Sequence, residues 1–121
     1  MAKPMITGIG LDLVEMDRIR SLYERQSSFV NRVLTERELT YFKTLSDRRK
    51  IEFLAGRFSA KEALAKANGS GIGESLSFQD IHILNDEKGK PYIVSEKINQ
   101  KIHLSITHTQ NYAAAQVVLE E

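Results

Sequence analysis

Apolar and polar residues alternate from Met5 to Leu13, which predicts a β-strand near the start of the chain. The odd positions 7–13 share one face of that strand, and the even positions 6–12 share the other. Apolar residues then recur at helical spacing from Met16 to Tyr23, and a further apolar run at 28–34 predicts a second, shorter helix. The pattern therefore indicates a strand followed by helices.

Capping signals predict two more helices. Thr35, with a glutamate three residues later, has the form of a capping box at the start of a helix. Ser46 or Asp47 can cap a longer helix that runs to about Asn68. Gly69 follows at the position where left-handed C-terminal caps occur.

The second half of the chain has the pattern of strands. Residues 78–84 and 91–94 predict a hairpin around the turn-forming residues 85–89, and alternating apolar positions at 102–106 and 112–119 predict two more strands. There is no linker or repeat, so we expect a single domain over residues 1–121. Its predicted fold is α+β: an N-terminal strand, several helices including one long buried helix, then antiparallel strands.

Composition narrows the class of protein. Of 121 residues, 41% are hydrophobic and 27% are charged, which is typical of a globular protein in water. No apolar run reaches the roughly 20 residues of a membrane helix, and the first residues lack the apolar stretch of a signal peptide. The absence of cysteine excludes disulfides and thiolate metal sites, and a net charge of +1 disfavours a general nucleic-acid binder. We expect a cytoplasmic protein with no membrane or nucleic-acid partner.

Asp12 is the first candidate for chemistry. Gly8 and Gly10 precede it on the same predicted strand face, and their missing side chains leave room for another group to approach the backbone. A carboxylate beyond that space could bind a ligand or metal. The alternative is a β-bulge followed by Asp12 as the N-cap of a helix.

Glu62 is the second candidate. A helical wheel places it between Phe58 and Ala65, inside an apolar stripe of the long helix. A buried carboxylate needs a proton, a metal or an ion-pair partner. Metal binding or catalysis is one interpretation, and a salt bridge to Lys66 one turn later is the other.

Basic residues surround these carboxylates in the sequence. Arg57, Lys61 and Lys66 lie near Glu62, and residues 48–50 are all basic. Mg²⁺ bound by one or two carboxylates, with cations around it, is typical of a polyphosphate site; a solvated helix face is the alternative. His108, at the end of a predicted strand, could bind phosphate or move protons, or could be structural.

Five short sequence motifs resemble those of a known family: Gly8–Asp12, Phe53–Ala63, Gly71–Gly73, Gly89–Pro91 and Ser105–Thr109. In this order they resemble the holo-acyl-carrier-protein synthases, the small bacterial class of 4′-phosphopantetheinyl transferases. The motifs extend over nearly the whole chain. The resemblance implies that coenzyme A donates its 4′-phosphopantetheine arm to a serine of apo acyl carrier protein, in fatty acid biosynthesis, and that adenosine 3′,5′-bisphosphate leaves.

The resemblance also implies roles for the acidic pair. Asp12 and Glu62 match the family's Mg²⁺ ligands, and Lys66 is placed to balance charge on the leaving phosphate. The general base is left open between Glu62 and a water that Asp12 orients.

Coenzyme A contacts follow from the same resemblance. His108 and Arg57 match phosphate contacts, and Arg48 and Arg49 suit the 3′-phosphate. Gly89, Lys90 and Pro91 resemble the segment that borders the adenine.

Acyl carrier protein is acidic, and the family docks it against the first helix. Arg18, Arg25 and Arg32 stand seven residues apart, with Leu22 and Gln26 as an apolar and a polar contact. Position 28 is a serine where relatives often carry a basic residue.

The family further implies a homotrimer with active sites at subunit interfaces. Two other function classes stay open on the residues alone. One is a nucleotide- or phosphoprotein-binding module without catalysis, and the other is a structural subunit in which Glu62 pairs with Lys66.

Overall fold

The computed structural model describes residues 3–121 and has an α+β fold, as predicted. Its helices are α1 (Met16–Arg25), α2 (Phe29–Val33), α3 (Glu36–Phe42) and α4 (Asp47–Asn68). Its strands are β1 (Ile6–Glu15), β2 (His82–Asn85), β3 (Pro91–Val94), β4 (Lys101–His108) and β5 (Tyr112–Glu120).

Two antiparallel sheets form. The larger sheet has the strand order β1-β5-β4, so β5 is central and the other two strands are edges; β2 and β3 form a separate hairpin. In the larger sheet Asp12 pairs with Ala115, which pairs on its other side with Ile106. This register places Asp12 and Ile106 at opposite edges.

Helix α4 lies across the inner face of the larger sheet and is buried on most sides. Its 22 residues begin after Ser46, whose hydroxyl accepts a hydrogen bond from the Arg49 backbone at 3.4 Å, and end before Gly69 at φ 80°. Both predicted caps are confirmed. Neither this helix nor any other in the described part of the chain is apolar enough to cross a membrane.

Two glycines allow the close approach of α4 to β1. A Cβ on Gly8 would overlap the carbonyl of Ala67, and a Cβ on Gly10 would overlap the carbonyl of Ala63. The space expected at these glycines is therefore filled by the backbone of α4. The alternative interpretation of Asp12, a β-bulge followed by a helix N-cap, is only partly confirmed. The β1–β5 register does shift between Ile6 and Gly8. Asp12 caps no helix, however, because α1 begins at Met16.

The strand predicted over residues 78–84 is partly wrong. Phe78–Asp80 forms a 3₁₀ turn, and β2 begins only at His82. The Asp80 carboxylate accepts hydrogen bonds from the Ser77 backbone at 2.8 Å and from its hydroxyl at 3.0 Å. This capping box stabilises the turn, although the apolar residues Phe78 and Ile81 favour a strand.

The outer face of the larger sheet is uncovered. Ile9 and Leu11 are each 63% exposed, and Leu13 is 65% exposed. They occupy the predicted strand face opposite Gly10 and Asp12. Such a row of apolar side chains is unusual on a monomer's surface.

Candidate active site

Asp12 on β1 and Glu62 on α4 face one another at one edge of the sheet. The Asp12 backbone is fixed to the helix, because its carbonyl accepts a hydrogen bond from the Ser59 hydroxyl at 3.0 Å. Lys66 donates to Asp12 Oδ1 at 3.1 Å and to the carbonyl of Leu11 at 3.0 Å. The salt bridge of Lys66 is therefore made with Asp12, and the proposed pairing with Glu62 is wrong.

The two carboxylates perturb each other. Burial raises the pKa of Glu62, and the negative charge of Asp12 raises it further, while Lys66 and Arg18 oppose both effects. Asp12 Oδ2 is buried and has no hydrogen-bond partner. A cation between the carboxylates would satisfy that oxygen and offset the repulsion.

The donor set fits Mg²⁺ better than a metal that needs more protein ligands. In the described chain, no three His, Cys, Asp or Glu side chains converge on a possible metal position. Mg²⁺ commonly takes one or two carboxylates and completes its shell with water and substrate phosphates. Asp12 and Glu62 are therefore suited to hold that ion; the pair does not resemble a closed zinc or calcium site.

A cleft lies at the other edge of the sheet, between α4, β4 and the β2–β3 hairpin. Its lining is Tyr41, Leu45, Arg49, Glu52, Phe53, Gly56, Arg57, Asn85, Ile106 and His108. A Cβ on Gly56 would come within 3.2 Å of the Ile106 side chain, so glycine lets α4 pack closely against β4 in this wall of the cleft.

Arg57 is the central cation of the cleft. Its guanidinium stacks 4.1 Å from the Phe53 ring centroid and donates to Asn85 Oδ1 at 2.7 Å. Its Nε is buried without a partner, and burial lowers the pKa of the group. A guanidinium that is held in place in the wall of a cleft is suited to an anionic ligand.

Asn85 connects the cleft to the predicted adenine segment. Its side-chain nitrogen donates to the Gly89 carbonyl at 2.9 Å. The Lys90 backbone donates to Asp86 at 2.9 Å, and Gly89 takes φ 84° in this turn before Pro91. Asn85, Phe53 and Tyr41 were not singled out from the sequence; the position of Asn85 directly before a tight turn was the only local signal.

A second cleft adjoins the first at His108 and Glu52. Arg48, Arg20, Thr109 and Gln110 also line it. Arg48 lies 3.7 Å from Glu52 and is largely exposed. The structure therefore brings Arg48, Arg49, Arg57 and His108 to one connected region, as expected for a shared anionic ligand.

Lys61 does not belong to either cluster. Its ammonium is completely buried and forms a salt bridge with Glu38 at 2.7 Å. The expectation that it joins the basic residues around Glu62 is wrong, because its side chain points into the core rather than toward the carboxylate pair.

The predicted docking residues lie on α1 and around α2. Arg18, Arg25, Gln26 and Arg32 are exposed, and Leu22 is partly buried against the core. Arg18 lies 5.9 Å from the Phe58 ring and is close enough to Glu62 to affect its pKa. This basic surface therefore adjoins the acidic pair.

The acidic pair and the basic clefts do not converge within one chain. Asp12 is two strands from Ile106 in the cleft wall, a separation of about 10 Å. Glu62 is six residues beyond Gly56 on α4, or about 9 Å along the helix and about 120° around it. One chain thus presents two half-sites that face different directions.

Comparisons with known proteins match nearly the whole chain. The family model of the 4′-phosphopantetheinyl transferase superfamily matches residues 8–117. The holo-acyl-carrier-protein synthase of Bacillus subtilis is 59% identical over 117 residues, covering 96% of this chain and 97% of that protein. The corresponding synthase of Anoxybacillus flavithermus is 56% identical over 116 residues, with 96% and 97% covered.

A solved structure agrees with these matches. The holo-acyl-carrier-protein synthase of Bacillus anthracis, in complex with CoA (3′,5′-ADP), superposes with a TM-score of 0.92 at 47% identity, covering 97% of this chain and 98% of that one. The chain therefore belongs to the 4′-phosphopantetheinyl transferase superfamily, within its group of holo-acyl-carrier-protein synthases.

Proposed function

We propose that this chain transfers the 4′-phosphopantetheine arm of coenzyme A to a serine hydroxyl of apo acyl carrier protein, with Mg²⁺, for fatty acid biosynthesis. The observation that carries the proposal is the buried, unpartnered Asp12 Oδ2 beside a Glu62 whose pKa is raised. This is a ready cation position in a chain 47% identical to a synthase in complex with CoA.

Asp12 and Glu62 hold the ion in this proposal. When bound, Mg²⁺ neutralises charge on the pyrophosphate and on its leaving oxygen. Lys66 stays beside Asp12 and keeps a positive charge near the leaving phosphate.

The transfer exchanges one P–O bond for another. The serine oxygen attacks the phosphorus that carries pantetheine, and the bond from that phosphorus to adenosine 3′,5′-bisphosphate breaks. The serine proton must reach a base. Glu62 and a water that Asp12 orients are the two candidates for that base, since both lie at the acidic pair.

The basic clefts bind the nucleotide end of coenzyme A. Arg57 and His108 contact phosphate groups, and Arg48 and Arg49 contact the 3′-phosphate. The turn at Gly89–Pro91 borders the adenine through its link to Asn85. The position of Arg57, stacked on Phe53 in the wall of the cleft, supports this assignment.

A homotrimer joins the two half-sites. Each chain presents its acidic pair at one sheet edge and its basic clefts at the other, so a neighbouring copy can complete each site. The exposed row Ile9, Leu11 and Leu13 supplies an apolar surface for that assembly.

The carrier protein docks on the basic surface formed by Arg18, Leu22, Arg25, Gln26 and Arg32. Charge complementarity to an acidic protein accelerates encounter and fixes orientation. Because Arg18 adjoins Glu62, a carrier bound there presents its serine to the acidic pair.

Mass spectrometry of apo acyl carrier protein tests the proposal. Incubation with this protein, coenzyme A and Mg²⁺ should add one phosphopantetheine group, and chelation of the metal should stop the reaction. An Asp12→Ala variant serves as the matched inactive control. No mass gain with the unaltered protein would overturn the assignment.

A further inference from the structure

The C-terminal end of α2 is held by a side chain from a distant part of the chain. Because α2 has only five residues, its last carbonyls have no donors within the helix. The amide nitrogen of Gln79 lies 2.9 Å from the Asn31 carbonyl, 3.2 Å from that of Arg32 and 2.9 Å from that of Leu34. One exposed side chain thus contacts three of the four carbonyls at 31–34, and because its amide has only two N–H groups, one of them is shared between two carbonyls.

Lys61 bonds the remaining carbonyl. Its ammonium donates to Val33 at 2.7 Å, to Glu38 at 2.7 Å and to the Phe78 carbonyl at 3.1 Å, which uses all three of its protons. Lys61 directly precedes Glu62 on α4. The end of α2 is therefore fixed relative to the helix that carries the catalytic carboxylate.

Glu38 anchors this arrangement on the other side. One oxygen accepts from Lys61 and from the Thr35 backbone at 2.7 Å, and the other accepts from the Ile83 backbone at 2.9 Å. A fully satisfied buried network of this kind is rigid.

Aromatic contacts extend the connection to the docking arginines. Arg32 lies 5.6 Å from the Phe29 ring, and Phe29 lies 6.0 Å from Phe58. Arg18 also lies over Phe58, which is one helical turn before Glu62. Arg32 is thus connected to the part of α4 that carries Glu62 in two ways: through the packed rings of Phe29 and Phe58, and through the hydrogen bonds at the end of α2.

We propose that Gln79 is a positioning residue for carrier docking. Together with Lys61 it holds α2 in place, so that Arg32 contacts the carrier protein while the carrier's serine faces Glu62. This inference rests on the proposed function, since it takes α1 and α2 as the docking surface. Gln79 touches neither the carboxylate pair nor the nucleotide clefts.

A Gln79→Leu variant isolates this role. Asn31 and Arg32 are exposed, so their carbonyls can hydrogen-bond to water instead, and the fold is retained while the orientation of α2 loosens. We expect the KM for acyl carrier protein to rise about five- to tenfold, the loss of roughly one hydrogen bond's net free energy. The KM for coenzyme A and kcat at saturating carrier should stay within about twofold.

Three further variants make the test specific. Gln79→Lys keeps a donor and should restore most of the carrier affinity. Gln100→Leu makes the same chemical change on a surface away from α2 and should leave both KM values unchanged. In an Arg32→Ala background, Gln79→Leu should add little, because the residue that it positions is already gone.

The outcomes separate this inference from the proposed function. If the unaltered protein transfers no phosphopantetheine, the proposed function fails. If Arg32→Ala raises the carrier KM but Gln79→Leu does not, or if Gln79→Leu adds its full effect in the Arg32→Ala background, the positioning role alone is overturned. An equal rise in the KM for coenzyme A also overturns it.

Discussion

At the residue scale, the proposed chemistry depends on two carboxylates that are costly to place together. Asp12 has an unpartnered buried oxygen, and Glu62 has its pKa raised first by burial and then by Asp12. Lys66 offsets only part of the repulsion between the two carboxylates, because its salt bridge is with Asp12. Perturbed carboxylates of this kind are typical of functional sites, which supports the proposed binding of a cation and phosphate here.

Glu62→Gln should separate function from stability. The amide keeps the size of the side chain but removes its charge, so turnover should fall at least about 100-fold. The melting temperature of the metal-free protein should stay level or rise, because a desolvated charge is lost. Turnover and thermal unfolding of one sample measure both, with the exposed Glu96→Gln as control. Near-normal turnover would remove Glu62 from the site.

The pH dependence of stability should carry the signature of Glu62. Its pKa is raised in the folded protein, so between the ordinary glutamate value of about 4.3 and the raised value the folded state binds more protons than the unfolded state. The metal-free stability contributed by this group is therefore present at low pH and is lost as pH rises through the folded pKa. Denaturant unfolding across that interval should show a steeper decline for the unaltered protein than for Glu62→Gln. The opposite ordering would contradict the raised pKa.

At the element scale, the position of α4 on β1 places Glu62 beside Asp12. The helix backbone comes so close to the strand that only glycine fits at positions 8 and 10. The position of Glu62 beside Asp12 therefore depends on Gly8 and Gly10, which allow the helix to come this close to the strand.

Gly10→Ala should displace the helix. The new methyl group meets backbone atoms of Ala63, which cannot rotate away, so we expect a loss of about 1–3 kcal/mol in the free energy of unfolding. Turnover should fall as well, since Glu62 moves from Asp12. Gly73→Ala is the matched control, because a Cβ there has no atom within 4 Å. Equal stability of the two variants would show that α4 can shift at no cost.

At the scale of the whole molecule, one chain has the parts of the proposed active site but holds them apart. Its acidic pair and its basic clefts lie at opposite edges of a three-stranded sheet, and the row Ile9, Leu11 and Leu13 on the outer face of that sheet is apolar and exposed. Association of copies through this face would bury the apolar row and bring unlike half-sites together.

Ile9→Glu should prevent the proposed trimer. The side chain is 63% exposed in the single chain, so a charge there leaves the fold intact while it repels a neighbouring copy. Analytical ultracentrifugation should give a trimer for the unaltered protein and a monomer for the variant, with loss of transfer. Val94→Glu, 39% exposed on the hairpin, should leave the trimer in place. A fully active monomer of the unaltered protein would contradict the shared site.

Mixed trimers should recover activity from two inactive chains. Asp12→Ala lacks the acidic half-site, and Arg48→Ala with Arg49→Ala lacks part of the basic half-site. In trimers that assort at random from equal amounts, about one quarter of the interfaces join two intact halves. Transfer near that fraction, after joint refolding, supports the shared site. Activity no higher than in the separate variants means that both halves act within one chain.

Much of the fold and of the candidate site was set by local sequence. The capping box at Thr35, the caps Ser46 and Gly69 and the strand alternation before Asp12 all depend on residues a few positions apart, so their structures follow from spacing alone. Asp12 and Glu62 are also recognisable from local sequence. Asp12 follows two glycines on one strand face, and Glu62 lies inside an apolar stripe of the long helix. The turn at Phe78–Asp80 is the local exception, because Phe78 and the following Ile81 favour a strand while Ser77 and Asp80 cap a turn.

Only the tertiary structure decided which distant groups meet. Periodicity shows that a helix face is apolar, but it does not show what covers that face or which carboxylate a lysine can reach. For that reason the sequence left Glu62 open between a metal or catalytic role and a salt bridge to Lys66, and the fold paired Lys66 with Asp12 instead. Lys61 was expected beside Glu62 and instead lies in the core on Glu38, because successive side chains on a helix point about 100° apart. The separation of the acidic and basic half-sites follows in the same way from strand order, which no local pattern encodes.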